Sequence, residues 1–175
     1  MTIRFEAPLM SDATAISTLA ETTFTKTFAH LYPPDDLQSF LSTWMPPAKV
    51  AAQIESPDWT FRVARGGDGG LLGYIKLGPV EFDLPDSEPH PADATELHQL
   101  YVAPAAQGTG VAASLIGWAL DHAREQGNRR IYLSVYIDNL RAQRFYARYG
   151  FYEVGKNPFE VGGTIDDDRI WRCDL

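Results

Sequence analysis

The segment formed by residues 107–112, QGTGVA, constrains the fold of this 175-residue chain more than any other. It lies between residues 95–102, which alternate as a strand does, and residues 110–126, where apolar side chains recur at helical spacing. Small residues let backbone N–H groups approach an anion closely, and a helix start adds unpaired N–H donors and the positive end of the helix dipole. The sequence therefore predicts a strand–loop–helix unit that binds phosphate groups.

Two common nucleotide-binding patterns match this loop poorly. No lysine follows the second glycine, as a Walker-type phosphate loop requires. Gly108, Gly110 and Ala113 fit the spacing of the dinucleotide fingerprint, but the acidic residue expected at the end of the next strand, about 20 residues later, is absent, and the unit follows a hairpin in mid-chain. Two other interpretations stay open at this point, a loop that binds the phosphate groups of a different ligand and a glycine-rich helix start without any ligand.

The rest of the chain predicts an α/β protein with one domain over residues 1–175. Neither an internal repeat nor a linker divides it, and a proline-rich, acidic stretch over residues 78–93 is expected to be a long irregular loop. The order of elements implies a mixed sheet with helices on both faces. Strands are expected over residues 2–6, 59–65, 71–77, 95–102, 130–135, 151–155 and 169–173, and helices over about 13–30, 35–44, 48–54, 110–126 and 139–149.

Charge and cysteine content exclude several classes of function. The 15 Lys and Arg residues against 23 Asp and Glu residues give a net charge of −8, which disfavours a nucleic-acid partner. This acidity suits a cationic partner, or simply solubility. A lone Cys173 and the lack of a Cys/His cluster predict neither disulfides nor a metal site, and they favour the reducing cytoplasm. The N-terminus alternates like a strand, unlike a signal peptide, and no apolar run is long enough to predict a membrane span.

Two further segments accompany the loop in a fixed order. Residues 96–104 read ELHQLYVAP, and residues 139–151 read NLRAQRFYARYGF. The second segment resembles the signature Asn-x-x-Ala-x-x-Phe-Tyr-x-x-x-Gly-Phe of the GNAT (GCN5-related) N-acetyltransferases, the loop resembles their pyrophosphate site, and the first segment resembles their fourth strand. This resemblance covers about residues 96–154. It implies a mixed, mostly antiparallel sheet that is splayed between strands 4 and 5.

Shorter matches over residues 23–28 and 34–37, and in the tail around Phe159-x-Val161-Gly162 before an expected acidic turn, resemble the PaiA-type polyamine acetyltransferases. The resemblance implies direct transfer of acetyl from acetyl-CoA to a primary amine, with a small cationic amine such as a polyamine as acceptor. A protein or peptide N-acetyltransferase and a non-catalytic CoA-binding module are the alternatives. The resemblance also implies a homodimer, although no residue pattern marks an interface.

The resemblance assigns the CoA site to three parts of the chain. Main-chain groups of the fourth strand would bind the pantetheine arm, the glycine loop would bind the pyrophosphate, and the start of the last helix would lie beside the arm. The implied cofactor-binding residues are Leu100, Tyr101, Val102, Gln107, Gly108, Thr109, Gly110, Val111, Ala112, Ala113, Asn139, Ala142 and Tyr146. Tyr146 matches the family tyrosine that protonates the departing thiolate, and a core aromatic is the alternative. Asn139 is equally suited to cap the helix.

The acceptor amine must lose a proton before it attacks, because a free alkylamine has a pKa of about 10.4. Glu96 and His98 are two residues apart on one predicted strand and share a face if no bulge intervenes, so each is a candidate base. Glu96 matches the family pattern, whereas the pKa of histidine lies nearer neutrality. Tyr32 and Phe28 are the candidate acceptor contacts together with Glu96, and the acidic loop over residues 80–93 is a candidate substrate flap. The three aspartates at residues 166–168 are interpreted as solvated surface groups, which would also attract a cationic acceptor.

Overall fold

A seven-stranded sheet organises the residues described in this computed structural model, 2–89 and 91–175. Its strands are β1 (Arg4–Glu6), β2 (Thr60–Arg65), β3 (Leu71–Gly78), β4 (Ala94–Val102), β5 (Arg130–Tyr136), β6 (Tyr152–Val161) and β7 (Thr164–Asp174). They are ordered β1-β2-β3-β4-β5-β7-β6, and every neighbouring pair is antiparallel except β4 and β5, which are parallel. The predicted mixed, mostly antiparallel sheet is therefore confirmed.

Helices cover both faces of the sheet, as predicted. They are α1 (Ala13–Phe28), α2 (Pro34–Trp44), α3 (Pro47–Glu55), α4 (Val111–Glu125) and α5 (Leu140–Ala147). Val63 and Tyr74 belong to a buried cluster with residues of α1 and α3, whereas their chain neighbours Ala64 and Ile75 belong to a cluster with α4. Because side chains alternate along a strand, these two clusters lie on opposite faces. A third cluster joins α1 and α2 to β6 through Phe24.

The parallel strands β4 and β5 pair over only three positions and then diverge. Ala94–Glu96 pairs with Arg130–Tyr132, yet β4 continues to Val102 and β5 continues to Tyr136. The opening between the diverging ends is called the β4–β5 cleft below. It is the splay that the family resemblance implied, and among the described residues β4 has no pairing with β5 beyond Glu96.

A β-bulge bends β4 at the closed end of this cleft. Lys76 of β3 pairs with Gln99, but the next β3 residue, Leu77, pairs with Leu97, so His98 is the extra residue of β4. A bulge of this kind inserts one unpaired residue and turns the strand. The simple alternation assumed for Glu96 and His98 therefore does not hold, and their relation is set by the bulge.

The last two strands are longer than predicted, and the acidic run lies within a strand. β6 and β7 form a hairpin that turns at Gly162, whose φ of 58° is in the left-handed region. The predicted acidic turn was wrong, since residues 166–168 pair with residues 157–159 of β6. Aspartate disfavours strands, but buried contacts of Asp166 override this preference.

The predicted long loop between β3 and β4 packs on the sheet. Its residues 79–89 contain neither helix nor strand, and a short 3₁₀ turn over Pro91–Asp93 leads into β4. Residue 90 of this predicted loop lies outside the described residues. The Glu88 carboxylate accepts hydrogen bonds from the Tyr132 hydroxyl at 2.7 Å and from Arg172 at 2.9 Å. The loop is thus held against β5 and β7.

Candidate functional site

The glycine loop presents backbone donors at the open end of the β4–β5 cleft. Gly108 and Gly110 have φ values of 79° and 89°, in the region that only glycine adopts readily. A Cβ atom built at either position would meet nothing within 4 Å, so the space beside the loop is open. Gly110 caps α4 without a side-chain hydrogen bond, and the first N–H groups of a helix lack intrahelical partners. These groups fit the pyrophosphate of CoA.

The side chains of the loop fix its shape. Gln107 donates to the Val102 carbonyl at 3.4 Å and accepts from Arg141 at 3.3 Å, so it connects the end of β4 to the start of α5. Thr109 donates to the Ala106 carbonyl at 2.6 Å and closes the turn before α4. Val111 is buried in the core under α4. The side chains of Gln107, Thr109 and Val111 thus make structural contacts. The N–H groups of Gln107 and Thr109 bond to the Pro104 and Ala106 carbonyls, which leaves the N–H groups at the start of α4 for a ligand.

The strand portion of the predicted cofactor site lies along the cleft. Leu100 and Val102 pack toward α4, and Tyr101 packs toward the α1 and α3 face. Beyond Glu96, β4 has no pairing with β5 among the described residues. An extended ligand arm with amide groups can bind such an unpaired edge in the manner of an added strand.

The start of α5 forms the other wall of the cleft. Asn139 accepts a hydrogen bond from the Ala142 N–H at 3.2 Å, so its predicted role as a helix cap is confirmed. Tyr146 packs edge-on against Phe151 with ring centroids 5.6 Å apart, and burial raises the pKa of its hydroxyl above the usual value. Burial and then the nearby Tyr146 raise the pKa of Tyr101. Both hydroxyls therefore stay protonated at neutral pH.

Glu96 and His98 form a contact at the closed end of the cleft. The Glu96 Oε1 atom lies 3.2 Å from His98 Nδ1, and the Glu96 Oε2 atom accepts the Glu81 N–H at 2.9 Å. Glu96 is only 6% exposed, and burial raises its pKa to about 7. Burial, followed by the charge of Lys76, lowers the pKa of His98 to about 4. At neutral pH the histidine is uncharged and the carboxyl group titrates.

The tautomer of His98 follows from its second contact. His98 Nε2 lies 2.8 Å from the carbonyl oxygen of Pro79, which can only accept a hydrogen bond. Nε2 therefore carries the proton, and the lone pair of Nδ1 faces Glu96. A protonated Glu96 can donate to that lone pair, so the Glu96–His98 pair is built to hold one proton between its two side chains.

The two residues predicted to contact the acceptor lie in different surroundings. Tyr32 is buried at 7% exposure, and its hydroxyl donates to Asp166. Phe28 stands edge-on to Tyr136, with ring centroids 6.3 Å apart. A cavity of about 230 Å³ beside them is lined by Thr27, Phe28, His30, Leu31, Tyr136, Asp138 and Asn139. A cavity of about 270 Å³ around Thr95 and His122 contains none of the predicted site residues.

Sequence reasoning interpreted Asp166 and Asp168, called the acidic pair below, as solvated surface acids that also attract a cation, but the structure buries Asp166 and half-buries Asp168. Asp166 is 8% exposed. Asp168 accepts from Ser134 at 3.1 Å, and burial raises its pKa to about 6. Asp168 is the register partner of Tyr136 on β5, and Asp166 accepts from Tyr32, so the pair lies on β7 beside these two tyrosines. A strand over residues 164–174 would have predicted the shared face of this pair, because alternation brings positions 166, 168 and 170 to one face.

The described ranges contain neither a metal centre nor a membrane-spanning helix. No group of three or more His, Cys, Asp or Glu side chains among residues 2–89 and 91–175 is arranged to hold a metal ion. None of the helices in those ranges is both long and apolar enough to cross a membrane.

Comparison with known proteins agrees with this geometry. The sequence model of the acetyltransferase (GNAT) family matches residues 17–151. An uncharacterised N-acetyltransferase of Mycobacterium tuberculosis is 32% identical, over 92% of this chain and 96% of its own. The crystal structure of PaiA N-acetyltransferase from Thermoplasma acidophilum in complex with coenzyme A has a TM-score of 0.79 at 20% identity and covers all of both chains. Spermidine N-acetyltransferase from Vibrio cholerae, in complex with CoA and spermine, has a TM-score of 0.67 at 22% identity and covers 98% of this chain and 95% of its own.

The fold, the glycine loop and these matches agree with one another. The loop and the splayed strands suit CoA, and the protein is an N-acetyltransferase that uses acetyl-CoA as its co-substrate. The chain belongs to the GNAT family of acetyltransferases.

Proposed function

We propose that this protein transfers the acetyl group of acetyl-CoA directly to a primary amine of a small cationic acceptor, such as a polyamine. The observation that carries the proposal is the acidic pair on β7, which is hydrogen-bonded by Tyr32 and by Ser134 of the neighbouring strand β5. Two carboxylates at the acceptor side of a dry site attract an ammonium group and repel anionic acceptors.

The open edge of β4 and the glycine loop hold the co-substrate in this proposal. Acetyl-CoA, when bound, supplies the acetyl group as a thioester. Backbone N–H groups at Gly110 and the following residues of α4 bind the pyrophosphate, and main-chain groups of Leu100–Val102 bind the pantetheine arm. A β4 N–H in the same region is suited to polarise the thioester carbonyl.

Glu96 removes the proton from the attacking amine, directly or through a water molecule. Its pKa of about 7 is close to that of an efficient base at neutral pH. The proton then lies between Glu96 Oε1 and the Nδ1 lone pair of His98, which are 3.2 Å apart. His98 thereby stabilises the protonated carboxyl group, so in this proposal Glu96 is the base and His98 assists it.

Tyr146 donates to the departing sulfur. Its raised pKa keeps the hydroxyl protonated at neutral pH, so a proton is present when the thiolate forms. Tyr101, on the part of β4 that is not paired with β5, is a second tyrosine whose hydroxyl stays protonated. Phe28 and Tyr136 form aromatic walls at the cavity beside Asn139, where an alkylammonium chain can pack against ring faces.

An acceptor screen that follows release of the CoA thiol tests this proposal. The panel contains a diamine, spermidine, spermine, neutral amino-acid amides, lysine-containing peptides and peptides with free N-termini. We expect kcat/KM to be highest for diamines and polyamines, because only they offer a second ammonium group to the acidic pair. Preference for a peptide over every polyamine would overturn the proposed acceptor class. Tight CoA binding without transfer to any acceptor would indicate that the protein is a non-catalytic CoA-binding module.

A further inference from the structure

Lys76 is a buried lysine that the mechanism above does not use. It lies on β3, is 4% exposed, and pairs in register with Gln99 of β4 beside the bulge. Its Nζ atom lies 3.3 Å from Gln53 Oε1 and 3.7 Å from Met45 Sδ. Within residues 2–89 and 91–175 it forms no direct ion pair. Because burying an ammonium group without a paired anion costs free energy, such a residue is expected to be retained for a purpose.

An indole ring connects Lys76 to the Glu96–His98 pair. The Lys76 ammonium lies 4.8 Å from the centre of the Trp59 ring, and that ring lies 4.7 Å from the His98 ring. A side chain at Gly78 would collide with the Trp59 ring, so a glycine is required there for the indole to occupy this position. The cation, the indole and the imidazole therefore form one packed row that ends on Glu96.

Each element that packs against the Glu96–His98 pair contributes a charged or titratable group. Lys76 stands on β3 and Lys49 on α3, and both positive charges lower the pKa of His98. In the loop before β4, the Glu81 N–H lowers the pKa of Glu96 and the Glu81 carboxylate raises it, and the charge of Lys76 lowers it. On β5, the register partner of Glu96 is Tyr132, whose hydroxyl is committed to Glu88. Lys76 is the buried cation in this set, so water screens it least.

We propose that Lys76 is a positioning residue that keeps the Glu96–His98 pair free of a proton until the acceptor amine supplies one. Its ammonium favours the carboxylate form of Glu96 and disfavours the imidazolium form of His98 through the low-dielectric interior. The inference rests on the proposed role of Glu96 as the base, and it adds the group that sets the charge state of that base. Trp59, Gln53 and Met45 fix the position of the cation and leave it without a carboxylate that would neutralise it.

Substitution of Lys76 by methionine removes the charge and keeps a side chain of similar length. NMR titration of the His98 ring and the Glu96 carboxyl, in the protein without acetyl-CoA, is the direct readout. We expect Lys76→Met to raise the proton affinity of both groups about tenfold, which corresponds to one pKa unit each. The acidic limb of kcat/KM then moves to higher pH by the same factor. Lys49→Met is the matched control, since this exposed lysine is screened by water and its loss should change the affinities less than about twofold.

A purely structural role for Lys76 predicts a different result. In that case Lys76→Met alters the melting temperature or kcat, and Glu96 and His98 keep their wild-type pKa values. Unchanged pKa values would overturn the proposal. If Lys76→Met does not fold, Lys76→Gln serves for the same titrations. Because the NMR experiment requires no turnover, it remains informative if the acceptor screen fails, and a failed titration leaves the acetyl-transfer proposal standing.

Discussion

The two halves of the site are built in different ways. The cofactor half consists of β4, the glycine loop and the starts of α4 and α5, and it offers mainly backbone groups from one stretch of about 50 residues. The acceptor half consists of side chains from distant parts of the chain, such as Tyr32 and Asp166, which are 134 residues apart and share a hydrogen bond. In the proposed function, backbone groups bind the CoA part of the co-substrate, whereas side chains select the amine.

Loss of the Tyr146 hydroxyl should have the largest effect on turnover. We expect Tyr146→Phe to lower kcat about 100-fold to 10,000-fold, the usual contribution of a general acid, because the thiolate then leaves without a proton donor. The affinity for CoA, measured by calorimetry, should be unchanged because the loop is untouched. If Tyr146→Phe turns over as fast as the wild type, Tyr146 is only a core aromatic and is not the proton donor. Tyr149→Phe, one turn further along the same segment, is the matched control.

Replacement of Glu96 by glutamine tests the proposed base, which acts where the cofactor half meets the acceptor half. We expect kcat/KM to fall about 100-fold and the acidic limb near pH 7 to disappear, since the carboxylate must be deprotonated to accept the amine proton. Glu81→Gln is the control, because the Glu81 side chain is 63% exposed and its carboxylate raises the pKa of Glu96, whereas the backbone N–H that bonds to Glu96 is kept. It should move the limb slightly to lower pH. A limb that persists in Glu96→Gln would contradict the assignment of the base.

A substitution in the glycine loop should affect only the cofactor half. In Gly110→Val a β-branched side chain is forced to a φ of 89°, a strain of about 1–3 kcal/mol, so we expect CoA to bind about 10-fold to 100-fold more weakly. Gly117→Ala provides the control, because this α4 glycine has open space around it and no positive φ. Equal CoA affinity in Gly110→Val and the wild type would show that the loop does not bind the pyrophosphate.

Asp168→Asn should affect only the acceptor half. We expect the KM for a diamine to rise about tenfold, the effect of losing one partly screened ion pair, with CoA affinity unchanged. Burial raises the pKa of Asp168 from 3.8 to about 6, so the folded protein binds this proton more tightly than the unfolded chain does. The ionised group thus lowers stability as pH rises through that range, and the amide removes the penalty.

Thermal unfolding checks the stability part of this prediction. At pH 8 the melting temperature of Asp168→Asn should exceed that of the wild type by about 2–4 °C, and at pH 4 the two should be equal. Asp167→Asn is the matched control on the opposite face of β7, where the side chain is 50% exposed and pairs with Arg169. An unchanged KM for the diamine in Asp168→Asn would place the acceptor elsewhere.

The same contrast explains what the sequence could predict. Three features depend on residues that are close in the chain, and they could therefore be predicted from the sequence. They are the glycine loop, the helix cap at Asn139 and the order of elements in the C-terminal half. The position of His98 depended on a bulge against β3, and that of Asp166 on burial against Tyr32, which lies far away in the chain. Lys76 gave no signal, because a lysine within a predicted strand is ordinarily exposed.

A crystal structure with CoA and spermidine tests the central claim most directly. The account predicts the pyrophosphate on the N–H groups of Gly110 and Val111, the thiol beside Tyr146, one amine nitrogen near Glu96 and another ammonium beside Asp168. CoA bound along the β4–β5 cleft with spermidine away from β7 would contradict the division of the site into a backbone-built cofactor half and a side-chain-built acceptor half.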